Sequence, residues 1–259
     1  MDSLRGQHVL VTGASGALGS SLSAALLGAG ANVAAAALQR TGLDALRAEL
    51  HHHERLQVAE VDVASGKGVE AFFEALERGT GPLDAVVHTV GGWSGGALVE
   101  LTDEALENLV ALNFTGAVYV VRAALRRMLP RARGRVVLVG SMSSLAPAPG
   151  MAAYGALKAA VAHLTQSAAA EAHAKGVRVN AVLPGTMDTA TNRAAMPGAD
   201  ASRWVSTAAV SAASTRMTAR RIVAGCITIS PFTASCFASL RPMWRRSITT
   251  CLRARRPTR

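Results

Sequence analysis

The stretch HVLVTGASGALG, from His8 to Gly19, is a short apolar strand that runs into a glycine-rich loop and then into an Ala/Leu-rich helix. A glycine loop in that position lets backbone N–H groups approach a diphosphate closely, and the positive end of the following helix dipole faces the charge. The same strand-to-helix setting suits a hydrolase nucleophile elbow, G-x-S-x-G. Counted from Gly13, that motif needs glycine at position 17, and the chain has Ala17 there. The unit therefore reads as a nucleotide-binding one.

Working outward, further strands are predicted at Asn32 to Leu38, Val58 to Val63, Asp84 to Thr89, Val136 to Ser141 and Val177 to Leu183. Helices fall between them, over about Gly42 to His51, Gly68 to Arg78, Thr102 to Pro130, and a long one through Tyr154 that closes at Gly176. The β-α alternation, six times over, calls for an α/β fold, a Rossmann-type doubly wound parallel sheet in a single domain. With 259 residues, half of them hydrophobic, the chain can fill such a core. The segment before the first strand carries Asp2 and Arg5 without a long apolar run, and Leu22 to Leu38 is interrupted by Gly28, Gly30 and Asn32. A soluble, cytoplasmic protein without a membrane partner is the expectation.

The net charge of +10 suggests nucleic acid until it is divided along the chain. Residues 201–259 hold eleven arginines and no lysine, aspartate or glutamate, which leaves 16 basic against 17 acidic side chains in the first 200. Basicity belongs to the tail, and arginine clusters without a structured reader bind weakly and without sequence preference, so no nucleic-acid partner is expected. Cys226, Cys236 and Cys251 also lie there, without metal-ligand spacing. His51, His52 and His53 point in different directions on a helix and read as a solvated helix end, so no metal is expected.

The chemistry-bearing residues come later in the chain. The apolar run VVLVGS delivers Ser141 to the carboxyl edge of the sheet, where ligands bind. Tyr154 and Lys158 are four apart on one helix face. A phenol titrates near ~10, and an adjacent ammonium is one way to lower that, which would make Tyr154 a general acid or base. At the end of the second strand, Ala37, Leu38, Gln39 and Arg40 offer no carboxylate and one arginine, favouring NADP over NAD. Asp62 is either an adenine contact or a turn former. Asn113, inside an apolar helix, either satisfies a backbone kink or holds a functional water. Trp93, in the loop Gly91 to Gly96, either caps a substrate or covers the loop. Met142 to Gly150, Trp93 and Thr186 to Trp204 are the predicted substrate walls.

Together, TGASGALG, Asp62, Asn113, Ser141, YGALK and VNAVLPGTMDT resemble the short-chain dehydrogenase/reductase family over about residues 6–204. The resemblance implies an NAD(P)-dependent oxidoreductase acting on a small carbonyl or alcohol, commonly a homodimer or homotetramer. Tyr154 would carry the proton, Lys158 would tune it and hold the nicotinamide ribose, Ser141 would orient the carbonyl, and Asn113 would hold a relay water. Gly13, Ser15, Gly16, Leu18, Gly19, Arg40, Asp62, Val63, Gly91, Pro184, Gly185 and Thr189, with Tyr154 and Lys158, would contact the cofactor. Two departures stand out: His88-Thr89-Val90-Gly91 replaces the family's Asn-Asn-Ala-Gly, and the central glycine of the first loop is displaced to Gly16. Within the family, the Gly-Gly-Trp loop and the run from Asp188 to Trp204 are similar to quinoid dihydropteridine reductase. That enzyme lacks the serine that Ser141 supplies here, which favours a carbonyl reductase. The other alternative is a nucleotide-binding family member that has lost turnover.

Residues 205–259 do not resemble the family's acidic amphipathic helix and closing strand. A solvated helix mixes both signs of charge, and this segment does not. The expectation is an NAD(P)-binding domain over residues 1–204 and an atypical arginine-rich tail over 205–259, a shifted reading frame or an unrelated replacement, with IVAGCITIS (Ile222 to Ser230) as an improvised strand at most.

Overall fold

A computed structural model describes residues 4–219 and the strand at 226–229. In chain order the elements are β1 (His8–Thr12), α1 (Ala17–Gly28), β2 (Asn32–Ala37), α2 (Arg40–Glu49), β3 (Leu56–Glu60), α3 (Gly66–Thr80), β4 (Ala85–His88), α4 (Asp103–Val110) and α5 (Gly116–Met128). They continue with β5 (Gly134–Val139), α6 (Ala152–His173), β6 (Val177–Pro184), β7 (Met187–Asp188), α7 (Ala190–Ala195), β8 (Val205–Ser206), α8 (Thr207–Ala219) and β9 (Cys226–Ile229). Seven strands form one parallel sheet in the order β3-β2-β1-β4-β5-β6-β9. The order reverses between β1 and β4, and in such sheets ligands bind in the crevice at that switch point.

β1, β2, β4, β5 and β6 are buried on both faces along most of their length, as their apolar content requires, whereas the edge strand β3 exposes Gln57 and Glu60. Along β1, Leu10 packs with Phe73 of α3, Val120 of α5 and Val161 of α6, while Val9 and Val11 pack with Leu22 of α1, Leu43 of α2 and Val210 of α8. Two helical layers therefore sandwich the sheet. The run Asp103–Met128 is long and apolar enough to cross a membrane by length and composition. Its Arg126 and Arg127 instead bond Glu70 of α3 at 2.7 and 2.9 Å, and Val120, Ala124 and Met128 are buried against the sheet. It is a core helix of one layer.

Four features differ from expectation. The helix from Thr102 to Pro130 is two helices joined by a π-helical turn, Ala111–Thr115. The third strand ends at Glu60, so that Val61 and Val63 serve the core from the following loop. His51 and His52 take left-handed backbone conformations (φ 52° and 49°) in a turn beyond α2. The largest difference is after Trp204, where helix α8 packs in a segment expected not to pack as a family C-terminus, and β9 falls within Ile222 to Ser230, where an improvised strand was allowed. Val210, Ala213 and Met217 of α8 enter the core, and β9 pairs with β6 from Ala181↔Cys226 to Pro184↔Ile229. The physical reason is that α8 packs through small and hydroxylated residues rather than an apolar stripe opposite a charged one. Its Ser214 and Thr218 are buried, and their hydroxyls donate to the carbonyls of Val210 and Ser214 at 2.9 Å each. Ser211 reaches across to Ser21 of α1 at 3.0 Å. The remainder of the arginine-rich tail, with Cys236 and Cys251, lies outside the described residues.

Candidate active site

The β1-α1 loop is shaped by close backbone approach. Gly13 has φ +78°, and a Cβ there would meet Thr89 Oγ1 at 2.8 Å and Val90 N at 2.9 Å. A Cβ on Gly19 would strike the Gly13 carbonyl oxygen and come within 2.6 Å of Ala14 Cα. The N-cap of α1 is Gly16, which has no side chain to bond the first helical N–H groups. Those donors face a diphosphate-sized cradle at a helix N-terminus. Two of the three residues that depart from the family pattern, His88 and Thr89, tie this loop to β4. The Thr89 hydroxyl donates to the carbonyls of Thr12 (2.8 Å) and Gly13 (3.2 Å), and His88 Nδ1 lies 2.7 Å from Thr12 Oγ1. His88 is fully enclosed; burial, and then the Lys158 charge, push its pKa down to about 3, so it is neutral.

A cleft of about 440 Å³ opens at this edge and is lined by Gly13, Gly16, Leu18, Gly19, Gly91, Ser141, Tyr154, Lys158, Pro184, Gly185 and Thr189. These are predicted residues from four separate βα connections, which the topology alone brings together. Ser141 follows β5 and caps a short turn, its Oγ accepting from Ser143 N at 3.2 Å and Ser143 Oγ at 2.9 Å. Thr189 caps α7 in the same way, accepting from Asn192 N at 3.1 Å. Asn113 stands in the π-helical turn and is buried. Its amide donates to the Gly92 carbonyl (2.9 Å) and to the Leu109 carbonyl (3.0 Å), while its Oδ1 is buried without a partner. The kink is thus satisfied by the amide nitrogen, and an acceptor remains over. A Cβ on Gly91 would meet Lys158 Nζ at 2.9 Å and Asn113 Oδ1 at 3.0 Å, so only glycine lets these two groups converge.

The electrostatics correct one expectation. Burial raises the Tyr154 phenol above its ordinary value, with the Ser141 hydroxyl acting the other way. The Lys158 ammonium does not bring it down, because burial pushes Lys158 itself down to about 8 and its Nζ donates to the Val139 carbonyl at 3.2 Å, 5.7 Å from the Tyr154 ring centre. The pair shares a face, as the spacing requires, without the phenolate being favoured in the free protein.

Ser15, Arg40, Asp62 and Val63 do not line the cleft. Ser15 packs beside Gly42 of α2, and Arg40 starts that helix, with Nε 2.9 Å from Asp44 Oδ1. Asp62 is exposed and forms a turn, its Oδ1 accepting from Ala64 N at 2.9 Å, while Val63 is buried against Gly116. Of the predicted substrate walls, Met142 to Gly150 is displaced by one step: Met151 lines the cleft, whereas Gly150 faces a neighbouring pocket of about 240 Å³. Met151 and Gly140 were not singled out from the sequence, and Thr89 was marked only as the replacement of an otherwise expected asparagine.

A family description, short chain dehydrogenase, matches residues 7–199. The chain is 33% identical over 189 residues to 3beta-hydroxysteroid dehydrogenase 2 of Eggerthella lenta, covering 72% of this chain and 73% of that one. It is 31% identical over 188 residues to gluconate 5-dehydrogenase of Gluconobacter oxydans, covering 72% and 73%. A short-chain type dehydrogenase/reductase from Mycobacterium ulcerans superposes with a TM-score of 0.81 at 26% identity, over 88% of this chain and 89% of its own. On the match across three quarters of its length and on the sheet order just described, the chain belongs to the short-chain dehydrogenase family of nicotinamide-dependent oxidoreductases.

Proposed function

We propose that the protein interconverts a carbonyl and an alcohol on a small molecule, with Tyr154 giving or taking the proton. The observation that carries this is the meeting of Ser141, Tyr154 and Lys158 in one cleft with the uncapped glycine loop. When bound, the nicotinamide supplies or accepts the hydride. The glycine cradle and the N-terminus of α1 suit its diphosphate, and Lys158 and Thr189 stand on the stretch of cleft that leads to the reacting carbon. Ser141, held by Ser143, orients the carbonyl oxygen. Tyr154 delivers its phenolic proton to that oxygen as the carbon gains a hydride, and it recovers the proton in the reverse direction. The raised phenol pKa keeps that proton in place at neutral pH until a bound positive charge or the reacting oxygen draws on it. Asn113 Oδ1, buried and unpartnered beside Lys158, supports a water-linked path by which the proton is replaced. Arg40, at the start of α2, supports NADPH over NADH.

The test is Tyr154→Phe. Turnover should fall by at least ~100-fold, with NADPH and NADH still raising the melting temperature as in the parent. Activity within about tenfold of the parent would remove Tyr154 from its role.

A further inference from the structure

Part of the cleft wall is made of side chains that the hydride-transfer reading leaves unused. Trp93 lies against the backbone of Gly95, where a Cβ would come within 2.5 Å of its ring, and its indole N–H donates to Met151 Sδ at 3.3 Å. Beside this bond the Gly96 N–H donates to the Gly150 carbonyl at 3.1 Å. The glycine loop and the segment entering α6 are thereby joined, and Trp93 and Met151 face the cleft together. Met187 and Met196 add two further thioethers to the lining.

Among the described residues that line the cleft, Lys158 is the one with a formal charge, and it is buried and bonded to Val139. The charged residues of the adjoining segment, Asp188 and Arg193, are matched to each other at 2.6 and 2.9 Å. Ser141, Thr189, Thr191 and Asn192 add hydroxyl and amide groups to this lining but no charge, so an anionic group entering here would meet an indole and thioethers and no cation beyond the buried Lys158. Those same groups suit a ring, because an aromatic face and flexible sulfur side chains mould to apolar skeletons. Resting on the reading of the site as a carbonyl reductase, we infer that its substrate is an uncharged ketone or secondary alcohol with a bulky, ring-bearing apolar skeleton, held by Trp93, Met151 and Met196.

The experiment compares acetophenone, para-carboxyacetophenone and the methyl ester of the latter, which restores neutrality at larger size. With NADPH as reductant, kcat/KM for acetophenone and the ester should exceed that for the carboxylate by roughly 100-fold. Met196→Lys should raise the carboxylate's kcat/KM about tenfold and lower that of the neutral pair. Equal or better use of the carboxylate by the parent overturns the substrate class while leaving hydride transfer in place. Binding is read separately, by thermal shift of the NADPH-loaded protein. Stabilisation by the ester but not by the carboxylate supports the class even if no ketone is reduced, a result that removes the reductase reading alone. Stabilisation by the carboxylate, or by none of the three, overturns the class.

Discussion

Replacing Lys158 by methionine should abolish activity and yet stabilise the protein at neutral pH. The lysine is 5% exposed, and burial lowers its pKa from 10.5 to about 8. Below pH 8 it is protonated in both folded and unfolded chains, and the folded state bears the whole cost of the buried charge. As pH rises from 8 to 10.5 the folded state releases its proton first, so the unfolded chain holds more protons and stability rises with pH. A shift of this size corresponds to a penalty of about 3 kcal/mol at pH 7, shrinking to about 1 kcal/mol at pH 10. Methionine removes it but leaves the Val139 carbonyl without the 3.2 Å bond from Nζ, an offset of about 1 kcal/mol. Of the groups facing Lys158, His88 stays neutral over the window because its pKa is about 3, and burial raises the Tyr154 phenol above its ordinary value. Lys158→Met should therefore gain about 2 kcal/mol at pH 7 and nothing, or slightly less than nothing, at pH 10. Urea unfolding of parent and variant at both pH values measures it. A variant no more stable than the parent at pH 7, or an advantage that persists unchanged at pH 10, would refute the argument.

Three further outcomes are expected. In the cofactor-free protein, the ultraviolet ionisation difference between parent and Tyr154→Phe should appear above the ordinary tyrosine range, because burial raises this phenol; a difference centred near neutral pH would contradict that. Arg40→Ala should weaken NADPH binding about tenfold and leave NADH unchanged, since a guanidinium meets a phosphate with paired hydrogen bonds and its present partner Asp44 is exposed, as fluorescence titration would read. Met217→Ala should cost about 2–5 kcal/mol of unfolding free energy, because Met217 is fully buried in α8; a loss below about 0.5 kcal/mol would mean that α8 does not pack.

What the sequence conveyed depended on whether the signal was local. The parallel sheet was legible because the strands are short, mostly apolar runs that alternate with helices, and the cleft was legible because glycines, Tyr154 and Lys158 have fixed offsets within single βα units. Helix α8 was not. Its apolar positions Val210, Ala213 and Met217 are interleaved with buried hydroxyls that satisfy themselves on their own preceding turn, and on a hydropathy reading these look solvated. The π-helical turn at Asn113 was half legible, since a buried asparagine announces a polar need without saying whether backbone or water meets it. The Trp93 to Met151 bond spans 58 residues, and no spacing rule reaches that far. The phenol's direction of shift was missed for a related reason. Four-residue spacing places Lys158 on the right face but says nothing of the Val139 carbonyl that holds its ammonium.

The end of β4 joins two sites that are usually considered apart. Thr89 fixes the glycine loop through its bonds to Thr12 and Gly13, and two residues later Gly91 leaves the room in which Lys158 Nζ and Asn113 Oδ1 converge. Two extended residues span at most about 7 Å, so the anchored threonine and the open glycine stay within that reach of each other. A substitution at Thr89 that freed the glycine loop would therefore also act at the surroundings of Lys158.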